Sequence, residues 1–164
     1  MSVKKTIAIV GATEKEGTEI TTQFAQTDYR LLLVSNDINK LTQLSKNISE
    51  NKPKAEIDSI ECVKDGCWEA DIIILAVPSY EEKIVAEMMK EVATQKVVVS
   101  ISCQESQHID LQNLLPYSKL VKVSGISQSK GISIEGNDED ANEEIANIFQ
   151  NAGYHIIADS LSAK

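Results

Sequence analysis

Aromatic residues and arginine are scarce in this chain of 164 residues. Phe, Trp and Tyr together make up 4% of the sequence, and Arg30 is the only arginine. A core must therefore be built from aliphatic residues, a composition that is typical of parallel strands buried on both faces. The formal net charge is −9, whereas nucleic-acid binding depends on Lys and Arg that neutralise phosphates. We therefore expect neither nucleic acid nor an anionic membrane surface as a partner.

Cysteine is also scarce, and its positions match neither a disulfide framework nor a zinc site. Cys62 and Cys67 lack a second cysteine pair or nearby histidines to complete a metal shell, and Cys103 stands alone. We expect reduced thiols and no bound metal. No apolar run approaches the roughly 18 residues that a membrane span needs, and the first residues contain no apolar signal segment. A cytoplasmic protein is the expectation.

Short apolar runs alternate with amphipathic stretches along the chain. The alternation predicts an α/β fold, a doubly wound, mostly parallel sheet with helices on both faces. No internal repeat or linker is evident, and we expect a single domain over residues 1–164. The runs predict strands at residues 6–10, 29–35, 57–63, 71–78, 96–102, 119–125, 131–136 and 154–160.

Two packing expectations follow from the helical stretches. Residues 79–95 are amphipathic and place Ile84, Met88 and Val92 on one predicted inward face. Trp68, in the connection before the fourth strand, is expected to pack inward because a large aromatic side chain gains free energy from burial.

The first strand is followed by the turn GATEKEG, residues 11–17. Ligands of a doubly wound sheet bind beyond the carboxyl ends of its strands. Gly11 permits a tight bend, Gly17 permits the helix to lie close to the strand, and backbone N–H groups between them can face an anion. The turn therefore predicts a dinucleotide-binding site formed by Gly11, Ala12, Thr13, Glu14, Lys15 and Glu16.

Glu14 occupies the place where a third glycine would let a diphosphate approach closely. A carboxylate about 5 Å from a diphosphate, at an effective dielectric constant of 20, is repelled by roughly 3 kcal/mol. A side chain directed to solvent would remove most of this conflict, and Lys15 would partly cancel the charge. A solvated turn that binds nothing is the alternative interpretation.

Residues at the end of the second strand select the cofactor in folds of this type. Ser35 and Asn36 can contact either a ribose hydroxyl or a 2′-phosphate, and Lys40, a turn into the next helix, favours the phosphate. We therefore predict NADP, with NAD as the alternative. Asn36 and Asp37 also form an ordinary helix start with Asp37 as the N-cap, and this interpretation stays open.

These stretches together resemble the coenzyme F420-dependent NADP oxidoreductase family and its relatives, such as pyrroline-5-carboxylate reductase. The resemblance runs through TIAIVGATEKEG, LLLVSNDINKL, EADIIILAVP and the later strands. It implies an NAD(P)-binding Rossmann fold and hydride transfer between NADP(H) and an unidentified small-molecule substrate. It also implies a homodimer and a cofactor cleft lined by Ala76, Val77 and Pro78.

The sequence departs from the family pattern in three loops that face the ligand. Glu14 replaces a glycine, Asn36 replaces an arginine, and residues 122–125 (KVSG) lack the asparagine that family members carry there. The departures leave a non-catalytic Rossmann module, for binding or sensing, as the alternative function. An epimerase of the short-chain type is a further option, but the chain lacks the Tyr-x-x-x-Lys pair that it requires.

The sequence does not assign a catalytic residue. His108 lies in a polar loop near a strand end, where a general acid would be well placed, but a histidine in such a loop is more often simply exposed. Cys103 follows the fifth strand, and no basic neighbour is present to activate its thiol.

Overall fold

The computed structural model describes residues 4–101, 111–126 and 131–159. Cys103 and His108, the two candidate reactive side chains named above, lie outside the described residues. The strands are β1 (Thr6–Val10), β2 (Arg30–Val34), β3 (Glu56–Ile60), β4 (Ile72–Leu75), β5 (Val97–Ile101), β6 (Lys119–Ser124), β7 (Gly131–Gly136) and β8 (His155–Asp159). The helices are α1 (Lys15–Phe24), α2 (Ile38–Glu50), α3 (Val63–Glu69), α4 (Ser79–Met89), α5 (Leu111–Leu114) and α6 (Glu139–Asn151).

The described strands form one sheet in the order β3-β2-β1-β4-β5-β6-β7-β8. Strands β1 to β6 run parallel to one another, with Ile9 of β1 lying between Leu33 of β2 and Ile74 of β4. Strand β7 pairs antiparallel with β6 and parallel with β8. The predicted doubly wound, mostly parallel α/β sheet is confirmed. Because the strand order reverses at β1, the carboxyl ends of β1 and β4 meet where such sheets bind ligands.

Helices cover both faces of the sheet, which explains why the central strands are apolar along their whole length. On β1, Ile7 and Ile9 belong to the core that α1, α2 and α6 complete, while Ala8 and Val10 belong to the core under α3, α4 and α5. All four side chains are buried. Among the described residues, no helix combines the length and the apolar character needed to cross a membrane.

The aromatic residues of the core are concentrated on one face of the sheet. Phe24, at the end of α1, lies edge-on to Phe149 of α6, with ring centres 5.1 Å apart. The ring of Tyr154, just before β8, lies 5.4 Å from that of Phe149. Edge-to-face pairs contribute about 0.5–1.5 kcal/mol each beyond the burial of their surface. The few aromatic side chains therefore join α1 to α6 in one core.

The inward face of α4 differs from the prediction. Ile84 and Met88, which were expected to be buried, have 61% and 50% of their surface exposed. Val85 and Met89, one position later in each turn, pack against the sheet instead. The helix carries apolar residues on two adjacent stripes, so a helical spacing does not by itself decide which stripe faces inward.

Trp68 also departs from its predicted position, because its side chain is 69% exposed. The connection that contains it forms α3, whose buried residues are Gly66 and Cys67. Successive residues of a helix point about 100° apart. Burial of Cys67 therefore turns the neighbouring Trp68 toward solvent.

Candidate functional site

The turn between β1 and α1 depends on its two glycines. Gly11 has a φ of +89°, in the left-handed region that side chains rarely occupy. A Cβ at Gly11 would also lie 2.7 Å from the carbonyl oxygen of Ala76, after β4. A Cβ at Gly17 would lie 2.0 Å from the carbonyl oxygen of Gly11. The predicted roles of the two glycines, a tight bend and a close approach of α1, are confirmed.

Hydrogen bonds fasten this turn to the end of β2. The N–H groups of Gly11 and Ala12 donate to the carbonyl oxygen of Val34 at 2.9 and 3.2 Å. The hydroxyl oxygens of Thr13 and Ser35 lie 2.8 Å apart and share a hydrogen bond. The ends of β1 and β2 are therefore held together by residues that the sequence predicted to bind the cofactor.

The tip of β2 leads directly into α2. Ser35 is buried, and its hydroxyl oxygen accepts a hydrogen bond from the N–H of Asp37 at 3.1 Å. The carboxylate of Asp37 accepts from the N–H of Lys40 at 3.1 Å, so Asp37 is the N-cap of α2, as predicted. Asn36 stands exposed between these fixed residues.

Helix α1 begins at Lys15, with Glu14 as its N-cap residue. The Glu14 side chain makes no capping hydrogen bond and is exposed. Its N–H donates to the carbonyl oxygen of Gly11 at 2.9 Å, and its carbonyl oxygen accepts from Thr18 at 2.8 Å. The N–H groups of residues 15–17 consequently have no partner within the helix, and they form the positive end of its dipole. This geometry suits an anion such as a diphosphate.

A cleft of about 510 Å³ opens at the carboxyl ends of β1 and β2. Part of the predicted set lines it, namely Gly11, Glu14, Ser35, Asn36 and Val77. The rest of the predicted set does not line it, namely Ala12, Thr13, Lys15, Glu16, Lys40, Ala76 and Pro78. The structure therefore brings the glycine turn, the tip of β2 and the segment after β4 to one site. Contact of each residue with a cofactor stays a prediction.

Residues that sequence reasoning missed complete the cleft. Glu61, Cys62 and Val63 follow β3. The others are Tyr80, Glu81, Ile84, Val85 and Met88 of α4, and Val10 and Val34, the last residues of β1 and β2. Strand β3 lies beside β2, with Ile60 opposite Val34, so both strands end at the same cleft. The β-α-β order of the sequence is the signal that could have revealed the first group, since consecutive parallel strands usually lie side by side.

One stripe of α4 gives the cleft an apolar wall. Tyr80, Ile84 and Met88 follow one another at four-residue spacing, are 50–70% exposed and line the cleft. Helical residues four apart lie on the same side of the helix. Large apolar side chains grouped around a cavity are typical of a ligand-binding surface. The stripe is therefore an apolar surface near the anion-binding turn, against which a flat apolar group such as a nucleobase can pack.

A buried carboxyl group holds α4 against β5. Glu82 is 6% exposed and accepts a hydrogen bond from the Ser100 hydroxyl at 2.6 Å. Burial raises the pKa of the Glu82 carboxyl, whereas the Ser100 hydrogen bond and the charge of Lys122 act in the opposite direction. Because the pKa is higher in the folded than in the unfolded state, this group favours folding at acid pH. That contribution is lost as pH rises through the folded-state pKa.

Replacing Glu82 with glutamine is expected to change the dependence of stability on pH. Glu82→Gln keeps the size of the side chain and an oxygen for Ser100, but removes the buried charge. At about pH 8 we expect the free energy of unfolding to rise by about 1 kcal/mol. The gain should disappear as pH falls toward 4.5, the usual pKa of a glutamate. Urea unfolding followed by circular dichroism measures both.

Glu87→Gln is the matched control for this substitution. Glu87 is exposed on the same helix, so its replacement should change stability by less than about 0.5 kcal/mol at every pH. A gain in Glu82→Gln that is the same at acid and alkaline pH would show that charge burial is not its cause.

The two described cysteines differ in their environments. Cys67 is buried in the core, where burial raises the pKa of its thiol to about 12. Cys62 is exposed at the cleft. Within the part of the chain that the structure describes, no group of three or more His, Cys, Asp or Glu residues is placed to hold a metal ion.

A family model described as coenzyme F420-dependent NADP oxidoreductase matches residues 6–104. The match extends from β1 past the end of β5, so it includes the glycine turn, the tip of β2 and the α4 wall. The resemblance inferred from the sequence is confirmed. No curated protein sequence matches the chain. The family match favours an NAD(P)-binding, oxidoreductase-like protein over a non-catalytic module.

Solved structures of reductases share the fold. A candidate F420-dependent NADP reductase from Arthrobacter sp. FB24 has a TM-score of 0.73 at 16% identity, with 94% of this chain and 83% of that chain covered. Pyrroline-5-carboxylate reductase from Coxiella burnetii has a TM-score of 0.73 at 16% identity, with 94% and 58% covered. Pyrroline carboxylate reductase from Plasmodium falciparum, solved with NADP bound, has a TM-score of 0.66 at 15% identity, with 96% and 58% covered. This chain thus spans little more than half the length of the last two proteins.

Proposed function

Because the chain belongs to the coenzyme F420-dependent NADP oxidoreductase family, we propose that it binds a nicotinamide dinucleotide and takes part in hydride transfer. The observation that carries the proposal is the composition of the cleft. The cleft lies between the glycine turn, which leads into the start of α1 that suits an anion, and the apolar stripe of α4. Both lie at the carboxyl edge of the sheet, where the strand order reverses. A ligand with an anionic centre and a flat apolar end matches this combination.

The start of α1 would hold the diphosphate. The N–H groups of Lys15 and Glu16 have no partner within the helix, and the helix dipole adds a favourable potential for an anion. The exposed carboxylate of Glu14 can extend into solvent while its backbone shapes the turn. The side chain of Lys15 is also exposed and places a positive charge next to it.

The adenosine half would lie between the tip of β2 and the wall of α4. Adenine would pack against Ile84 and Met88, whose apolar surface is otherwise left to solvent. The ribose would face Ser35 and Asn36. The Ser35 hydroxyl is already bonded to that of Thr13, so the exposed amide of Asn36 is the better placed group to bond the ribose.

The bound dinucleotide would supply the chemistry by giving or accepting a hydride at its nicotinamide ring. The residues of this chain would bind the cofactor, orient it along the carboxyl edge of the sheet and bring Val77, after β4, against it. The small-molecule substrate and a second subunit over this edge stay predictions from the sequence.

Lys40 is the basis for predicting NADP rather than NAD, and the family description also names NADP. Lys40 is exposed in the first turn of α2, with its N–H bonded to the carboxylate of Asp37. From there its ammonium group would attract a 2′-phosphate from outside the cleft. The carboxylates that line the cleft itself act in the opposite direction.

Thermal unfolding with nicotinamide dinucleotides tests the proposal. A ligand at about 100 times its Kd stabilises a folded protein by about 2.7 kcal/mol. Millimolar NADH, NADPH, NAD or NADP should therefore raise the Tm of this chain by about 5–10 °C where it binds. Without a rise for any of the four, the proposal would be wrong.

Neutralising Glu14 is expected to strengthen cofactor binding. Glu14→Gln removes a charge at the start of α1, and because the carboxylate is exposed we expect a gain of about three- to tenfold in affinity. Calorimetric titration measures the gain, which should shrink at high salt. Glu50→Gln removes the same charge from the exposed far end of α2 and should leave the affinity unchanged. Equal affinities for all three proteins would show that Glu14 does not face the anion.

A further inference from the structure

The charged residues that line the cleft are all acidic. Glu14 comes from the glycine turn, Glu61 follows β3, and Glu81 lies in the first turn of α4. Among the described residues, no lysine, arginine or histidine lines this cleft. Away from the start of α1, where backbone N–H groups suit an anion, these acidic residues favour a neutral or cationic ligand group over an anionic one.

Glu61 lies at the strand ends where the adenosine ribose of the proposed ligand would bind. Strands β2 and β3 are parallel, with Val34 opposite Ile60, so the residues that follow, Ser35 and Glu61, are neighbours. Glu61 and Asn36 both line the cleft. Glu61 is therefore next to the strand end that distinguishes a ribose hydroxyl from a 2′-phosphate in this type of fold.

Basic side chains of the neighbouring elements are engaged elsewhere or lie outside the cleft. Lys64 of α3 donates to Glu91 at 2.9 Å. Arg30, at the opposite end of β2, contacts Asp58 at 3.2 Å. Lys40 is exposed on α2 and does not line the cleft. A phosphate at the β2 tip would therefore meet acidic residues on its cleft side, with the solvent-screened lysines Lys15 and Lys40 outside the cleft.

We infer that the cleft selects the dinucleotide without a 2′-phosphate, NAD(H), and that Glu61 determines this specificity. The inference rests on the proposed function, because it names the cofactor of the same site. A free ribose hydroxyl can donate a hydrogen bond to Glu61 or to the Asn36 side-chain oxygen. A 2′-phosphate offers only acceptors and brings about two negative charges. The cofactor inferred for this chain therefore differs from the NADP that its family description names.

Titration of the whole chain with NADH and with NADPH, followed by nucleotide fluorescence, tests the inference. We expect NADH to bind about tenfold more tightly than NADPH at low salt, with a smaller preference at high salt. Glu61→Gln keeps the size of the side chain and removes its charge, so NADPH should gain about tenfold, and NADH should bind equally or more weakly. Glu61→Lys reverses the charge and should invert the preference. Glu50→Gln should leave the ratio unchanged.

The outcomes of this experiment distinguish three claims, namely the selection of NAD(H), the role of Glu61 and the proposed function. If the unchanged chain binds NADPH as tightly as NADH, or more tightly, the inference that the cleft selects NAD(H) is wrong. A preference for NADH that persists in both Glu61 variants would overturn the assignment to Glu61. Glu61 is exposed, so the variants should fold, and circular dichroism verifies it. Absence of binding by both nucleotides would contradict the proposed function itself, and the selection with it.

Discussion

Replacing Gly17 with alanine is expected to disrupt the cofactor turn and abolish dinucleotide binding. Within a helix, alanine normally stabilises by about 1 kcal/mol relative to glycine. Here the added Cβ would lie 2.0 Å from the carbonyl oxygen of Gly11 and 2.8 Å from its carbonyl carbon, which are backbone atoms without rotational freedom. Helix α1 or the turn must shift, so the free energy of unfolding should fall by about 2–4 kcal/mol. Urea unfolding and nucleotide titration measure the two effects.

Thr22→Ala is the matched control on the same helix. Thr22 is exposed, and its hydroxyl donates only to the carbonyl oxygen of Thr18, at 2.8 Å. Its replacement should change the free energy of unfolding by less than about 0.5 kcal/mol and leave binding intact. If Gly17→Ala were more stable than the unchanged chain, as at an ordinary helical glycine, the close approach of α1 to the turn would be wrong.

The glycine turn and the strands show what this sequence predicts well. The roles of Gly11 and Gly17 depend on the absence of a side chain at two positions between a strand and a helix, which is a local steric property. The strands are predictable for a similar reason. An uninterrupted apolar run such as Ile72–Leu75 is stable in water only when both faces of the strand are covered.

The wall of the cleft shows what the sequence leaves open. Helix α4 has one apolar stripe through Ile84 and another through Val85, and both satisfy the helical spacing. The structure buries the second stripe together with Glu82, a residue whose charge would normally keep it in solvent. The hydrogen bond from Ser100 makes this burial tolerable, and Ser100 lies on a strand that the helix meets only in the folded chain. The cleft-facing stripe is therefore a consequence of tertiary packing.

The residues that would select the cofactor also fall into two groups, one close together in the sequence and one brought close only by the fold. Asn36 and Lys40 lie only about one helical turn apart along the chain, so the sequence suggests a phosphate site at the tip of β2. Glu61 directly follows the next strand and reaches the same cleft only because β3 pairs with β2. Glu61 places an acidic residue on the cleft side of the β2 tip. The sequence around residues 35–40 does not reveal this residue.

Replacing Ile84 with aspartate is expected to remove cofactor binding and leave the fold intact. Ile84 is 61% exposed, so the substitution should change the free energy of unfolding by less than about 0.5 kcal/mol. In the cleft it removes apolar surface from the proposed adenine wall and adds a carboxylate to those of Glu61 and Glu81. We expect the Kd to rise by about 30- to 100-fold, equivalent to about 2–3 kcal/mol. Calorimetric titration with NADH measures it.

Ile157→Asp makes the same substitution at the other end of the sheet. Ile157 is 70% exposed on β8, the edge strand farthest from β3 in the strand order. It matches Ile84→Asp in added charge and lost apolar surface, and we expect it to change the Kd by less than about twofold because a distant exposed charge is screened. Weak binding by Ile84→Asp alone would therefore locate the adenine on the α4 stripe. If binding were unchanged in Ile84→Asp, or equally weak in both variants, the stripe would not be the adenine wall.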